Sequence, residues 1–371
     1  MRFALLLTAV LRLGAQNVGI DSHIDTAQRV LIDQANIAEK SPVGHVDIPR
    51  LREGGVNAPF FALWVPTYYK GSEAIRRTLD LRDAMQRLFD THPEQIALAL
   101  TAADIERITR SGRIAAILTI EGGHQIDDDL GVLRMYYRLG IRAMTLTHFR
   151  NTNWADSSTD KPAHNGLTEF GKQVVREMNR MGMMVDVSHV SDKTFFDVLA
   201  VTSKPVIASH SSCRALSDVP RNMTDEMITA LGKNGGVIGI NFGEGFLNPK
   251  DADALKSAVN SMGFSEPSLT GKALDAYAAE ELHRDMAPKP SNATIDDAVA
   301  HIDHAVKLAG IDHVGIGSDF DGISSPPKGL EDISKMPALR AALRKKGYSD
   351  EDIRKIMGGN TLRLLREVAA K

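Results

Sequence analysis

Six short stretches of this chain end in side chains that bind metals or move protons. Asp21-Ser22-His23-Ile24-Asp25 places a histidine and an aspartate two residues apart. On an extended strand that spacing points both side chains to one face, so a single cation can take both. Glu121 follows an apolar run and precedes Gly122-Gly123. A carboxylate has two oxygens and can bridge two ions. His148, His189 and His210 each close another apolar run, and Asp319 lies in Ser318-Asp319-Phe320-Asp321-Gly322. Neutral imidazole and carboxylate together suit Zn²⁺. Two such ions at roughly 3.5–4 Å would share a hydroxide that is nucleophilic near neutral pH. The chemistry expected is therefore hydrolysis at a two-zinc centre held by His23, Asp25, Glu121, His189 and His210. Nucleophilic catalysis fits less well: Ser211 and Cys213 merely follow a ligand candidate, and no Gly-x-Ser-x-Gly elbow occurs.

Such residues converge only if a fold gathers the ends of several strands. Short apolar runs at 18–25, 57–64, 114–122, 141–148, 183–189, 205–211, 236–242 and 313–322 read as eight strands. Most are continuous rather than alternating, as expected for parallel strands covered on both faces. Helical patterns lie between them. Residues 72–91 carry Ile75, Leu79, Met85, Leu88 and Phe89, and residues 167–181 stop at Gly182. Thr294 caps a helix reaching Gly310, and Ser349 with Asp352 forms a capping box. Strand and helix alternating eight times predict an α/β, TIM-like (β/α)₈ barrel; a doubly wound open sheet is the competitor. In a barrel all strand ends of one polarity meet at one mouth. Residues 244–292 read as a long irregular insertion after strand seven, a lid or a subunit contact.

The chain has 371 residues, with 44 Lys and Arg against 47 Asp and Glu, a net charge of −3. No basic excess points to nucleic acid or an anionic membrane. One cysteine, Cys213, excludes an intrachain disulfide and a thiolate zinc cage. No apolar run approaches the ~20 residues of a stable membrane span. Residues 1–16 read either as a secretory-signal remnant, which would make the protein periplasmic or secreted, or as an N-terminal arm of a cytoplasmic one. Residues 17–371 read as one hydrolase domain.

Taken together, these stretches resemble the membrane dipeptidase (renal dipeptidase) family of zinc peptidases, family M19. The matching segments are Asp21-Ser22-His23-Ile24-Asp25, Ile120-Glu121-Gly122-Gly123-His124, Leu146-Thr147-His148, Asn151-Thr152-Asn153-Trp154-Ala155-Asp156, Asp186-Val187-Ser188-His189, Ala208-Ser209-His210-Ser211, Arg221-Asn222 and Gly317-Ser318-Asp319-Phe320-Asp321-Gly322. The resemblance implies His23 and Asp25 on one zinc, His189 and His210 on the other, and Glu121 bridging. It implies that His148 binds the scissile carbonyl, that Arg221 binds the terminal carboxylate of a dipeptide, and that Asp319 passes a proton to the leaving amine. It further implies tolerance of a C-terminal D-residue and, as many relatives are dimers, a homodimer. The alternatives are another two-metal barrel hydrolase of cyclic amides or lactones, including β-lactams, or a catalytically silent binding homologue. The chain departs from the mammalian pattern at Gly243, where those members carry a carboxylate-binding tyrosine. His124, Trp154, Asp156 and Asp321 are expected to pack or to orient neighbours. Asp127-Asp128-Asp129 is expected to serve as helix N-terminal charge.

Overall fold

The computed structural model describes residues 18–261 and 267–369. The expected signal remnant or arm, residues 1–16, lies outside the described residues. Among the described residues eight strands form, β1 (Phe60–Trp64), β2 (Ile96–Leu98), β3 (Ile114–Glu121), β4 (Ile141–Thr145), β5 (Met184–Asp186), β6 (Ile207–Ser211), β7 (Val237–Ile240) and β8 (Val314–Ile316). They run parallel in the order β1-β3-β4-β5-β6-β7-β8, with β2 paired to the start of β3.

The segment expected as the first strand closes the ring. Ile24 makes parallel bridges to Phe61 on one side and to Phe320 on the other. Its neighbours Ser22 and Asp25 donate backbone N–H groups to Ile316 and Phe320. The sheet is therefore closed, and an open doubly wound sheet is ruled out. The segment is not a regular strand because the Asp21 side chain takes ladder donors: its Oδ1 accepts the N–H of His23 and of Ser318. Asp186 does the same at the end of β5, accepting from Ser188 and Ser209 N–H. These substitutions of side chain for backbone explain why several strands are shorter than their apolar runs.

The helices follow their sequence signals. Ser72–Thr91 is helical throughout. Glu169–Met181 is capped by Thr168 and ends at left-handed Gly182. Thr294 with Asp297 and Ser349 with Asp352 both form capping boxes. Asp129 caps the helix Leu130–Arg138.

Two expectations need correction. Strand β2 was not foreseen: it is three residues long and pairs only with Ile114–Ala116. The insertion after β7 is not irregular but holds helices Glu244–Leu247, Pro249–Ser261 and Gly271–Asp285. Leu274 and Ala278, one turn apart, are the buried stripe of the last of these helices. Asp275 on the last helix accepts from Tyr69 Oη at 2.9 Å and Arg76 Nη2 at 2.8 Å. That clasp ties the insertion to the segment following β1, on the mouth side of the barrel.

The opposite end is apolar. Ile20, Phe60, Ala115, Met184, Ile207 and Val237, near the strand beginnings, pack with residues of helices Ala102–Arg110 and Asn360–Ala369. The candidate metal ligands lie at the C-terminal strand ends, the usual location of barrel active sites. Among the described residues no helix is long and apolar enough to cross a membrane.

Candidate metal centre and active site

The strand ends bring His23, Asp25, Glu121, His148, His189, His210 and Asp319 together at the mouth. Glu121 is the last residue of β3, in register with Trp64 on β1 and Thr145 on β4. Its Oε2 lies 3.4 Å from His23 Nε2, which in turn is 3.5 Å from Asp25 Oδ2. Its Oε1 lies 2.9 Å from His189 Nε2, 3.1 Å from His210 Nε2 and 3.8 Å from His148 Nε2. One carboxylate therefore faces two donor groups, one oxygen to each. Asp319 Oδ1 is 4.0 Å from His23 Nε2. His189 and Asp319 are held at φ 67° and 65°, a left-handed conformation unusual outside glycine that clusters at functional sites.

A surrounding shell aims these groups. Asp186 Oδ2 accepts from Ser209 Oγ at 2.6 Å, and Ser209 Oγ lies 2.8 Å from His210 Nδ1. With its proton spent on Asp186, Ser209 Oγ accepts from His210 Nδ1–H, which leaves His210 Nε2 as the lone-pair nitrogen facing Glu121. Asn241 donates to Asp319 Oδ2 at 2.8 Å. Trp64 Nε1 donates to His148 Nδ1 at 3.4 Å. Gly322 leaves room for two carboxylates: a Cβ there would stand 2.1 Å from Asp25 Oδ2 and 2.6 Å from Asp319 Oδ1.

Arg221 is buried, with Nη2 donating to the His210 carbonyl at 3.1 Å and its guanidinium 5.3 Å from the Phe246 ring centroid. Its Nε and Nη1 have no hydrogen-bond partner, leaving charged N–H donors free for a carboxylate. A side chain at Gly243 would collide with Phe246, whose Cδ2 would be 2.8 Å from the added Cβ. Phe246 thus occupies the space next to Arg221 that a residue at 243 would need.

Burial and mutual charge set the ionisation. Burial opposes the Glu121 anion, but His23, His148, His189 and His210 outweigh it and hold the carboxyl well below its usual range. Burial also disfavours the His23 cation, yet Glu121 and Asp25 raise its pKa well above normal. Burial pushes the other three histidines down, with Arg221 and His148 adding at His189, His23 at His210, and His124 and Arg221 at His148, which falls to about 3. These three are neutral imidazoles, the form that offers a lone pair. Burial lowers Arg221 to about 10, which leaves it cationic at neutral pH.

The donor set fits divalent cations. His23 Nε2 and Asp25 Oδ1 are buried without hydrogen-bond partners, a costly condition unless something else satisfies them. Three overlapping groups, His23/Asp25/Glu121, Glu121/His148/His189 and His23/His210/Asp319, each bring three ligand atoms within 4.8 Å of one another.

Comparison with known proteins identifies the family. The model of the family described as membrane dipeptidase (peptidase family M19) matches residues 8–371. The chain belongs to the membrane dipeptidase family. Dipeptidase tcpJ of Claviceps purpurea is 39% identical over 339 residues, covering 89% of this chain and 70% of the relative. Dipeptidase verJ of Clonostachys rogersoniana is 36% identical, covering 88% and 76%. A metallopeptidase from Rhodobacter sphaeroides, solved with a phosphinate mimic of the dipeptide L-Ala-D-Ala, superposes with a TM-score of 0.78 at 28% identity, covering 95% of this chain and 99% of that one. M19 peptidases are metallopeptidases, and the fold is the family's TIM-like barrel.

Sequence reasoning did not single out Trp64, Ser209 or Asn241 as site residues, and gave Asp186 no role. Each is a common residue at a strand end, and only its partner across the barrel gives it a role. Asp156 and Asp321 orient loops as expected: Asp156 accepts from Ala163, His164 and Gly166 N–H, and Asp321 accepts from Thr26 Oγ1 and Arg29 Nη1. Trp154 is buried in the core.

Proposed function

We propose that this chain is a two-zinc dipeptidase that accepts dipeptides with a C-terminal D-residue. The carrying observation is Glu121, whose Oε2 faces His23 and whose Oε1 faces His189 and His210. His23 and Asp25 would hold one ion, His189 and His210 the other, and Glu121 both. Bound there, the two ions would bring the pKa of a water toward neutrality and polarise the scissile carbonyl.

The chain's own residues divide the remaining work. Arg221 takes the terminal carboxylate through its free N–H groups, which fixes the dipeptide's register. His148 Nε2 donates to the carbonyl oxygen as it gains charge. Asp319, its Oδ2 held by Asn241, collects a proton on Oδ1 and returns it to the departing amine. Burial of these groups, all but Asp319 nearly inaccessible, excludes bulk water and strengthens each interaction. The L-Ala-D-Ala mimic bound by the Rhodobacter sphaeroides relative supports a D-residue at the C-terminal position.

The test is a panel of L,L and L,D dipeptides, assayed before chelation, after it, and after zinc is restored. Turnover that disappears with the metal and returns with two zinc equivalents is expected. Turnover indifferent to chelation would refute the reading.

A further inference from the structure

Trp64 ends β1 in register with Glu121, so its indole stands at the rim of the site. Its Nε1 lies 3.4 Å from His148 Nδ1, and the two rings are 5.5 Å apart at 55°. An indole nitrogen only donates, so the histidine nitrogen it meets must accept. A protonated imidazole has no acceptor, and the Nδ1–H tautomer would set one N–H against another. The contact therefore selects the neutral ring with its proton on Nε2. That nitrogen faces inward, 3.8 Å from Glu121 Oε1.

We propose that Trp64 is a positioning residue that holds His148 as the Nε2–H tautomer, so that His148 meets the substrate's carbonyl oxygen as a hydrogen-bond donor. The tautomer follows from the geometry alone; its catalytic consequence rests on the dipeptidase reading. The opposite tautomer would aim a lone pair at the carbonyl oxygen and repel it as charge develops. The indole could also act as simple packing for the His148 ring, a role that any aromatic of similar size would fill.

Two substitutions separate these roles. Trp64→Phe keeps an aromatic face and removes the donor. Replacing tryptophan throughout by 3-benzothienylalanine, which carries sulfur in place of the N–H, keeps the shape as well. The chain has 2 tryptophans, and the other, Trp154, makes no hydrogen bond through Nε1, so the global replacement tests Trp64 alone. The readout is the ¹⁵N spectrum of labelled histidine in the metal-free protein, with His148 assigned by difference against His148→Gln.

The expected wild-type signature is Nε2–H, giving way to Nδ1–H or a mixture in both substituted proteins. With zinc restored, kcat should fall at unchanged metal content, by up to the roughly hundred- to thousandfold that loss of an oxyanion donor costs, and KM should stay within about twofold. An Nδ1–H signature in the wild type would overturn the proposal, as would an unaltered tautomer and kcat in the substituted proteins. If Trp64→Phe fails to fold, the benzothienyl protein decides. If the wild type cleaves no dipeptide, the dipeptidase reading fails, and the tautomer measurement still settles the role of Trp64.

Discussion

Asn241 donates its side-chain amide to Asp319 Oδ2 at 2.8 Å, while its own Oδ1 accepts the N–H of Gly243 at 2.6 Å. The second bond fixes which end of the amide faces Asp319. Asp319 is thereby held with Oδ1 toward His23, although it lies on a different strand end from Asn241.

Asn241→Asp keeps the acceptor for Gly243 and sets an oxygen against Asp319 Oδ2. Two carboxylates at that distance cannot both ionise easily, so the apparent pKa of the pair's second proton loss rises. Asp319 works as a base only when ionised. The acidic limb of the kcat/KM profile should therefore move to higher pH, by roughly a unit or more. An acidic limb unmoved from wild type would show that Asp319 does not limit the rate.

Gly322→Ala tests the crowding of the two carboxylates. The added Cβ would meet Asp25 Oδ2 and Asp319 Oδ1 inside contact distance, at 2.1 and 2.6 Å. Both must move, and a misplacement of about 1 Å at a reacting centre can cost on the order of a hundredfold. Turnover should fall by about that factor, with weaker zinc retention on dialysis and a small change in Tm. Wild-type turnover and zinc retention together would contradict the close approach.

His301 offers a test remote from the metal ligands. It is buried, its Nδ1 accepts Cys213 N–H at 3.0 Å, and its Nε2 lies 3.0 Å from the Leu247 carbonyl. Burial lowers its pKa to about 4, against about 6.5 in the unfolded chain. Between those values the unfolded chain binds the extra proton. The contribution is therefore complete above about pH 6.5 and is lost as the pH falls toward 4, at up to about 1.4 kcal/mol per unit. The urea midpoint of the metal-free protein should decline from pH 7 to 5. His301→Asn, which retains an acceptor for Cys213, should decline less steeply. Identical slopes would mean that His301 is not held neutral by the fold.

The amino-acid order by itself determined the barrel and named the candidate residues that the structure gathers at one mouth. Continuous apolar runs alternate with capped helical stripes, and that rhythm admits few folds. The two-residue spacing of His23 and Asp25 puts both on one strand face, and polar residues closing six strand candidates have a common meeting place only in a closed sheet. Elements with weak local signals escaped. β2 has three residues, and the helix Gly271–Asp285 buries little beyond Leu274 and Ala278.

Tertiary structure alone decided how the site is aimed. Which Glu121 oxygen faces which histidines, the relay from Asp186 through Ser209 to His210, and the contacts of Trp64 with His148 and Asn241 with Asp319 all join residues on different strands. The last two pairs are 84 and 78 residues apart in the chain. Periodicity and capping report on neighbours within a turn or a strand, whereas these contacts arise only when the sheet closes and its strand ends are brought to one mouth.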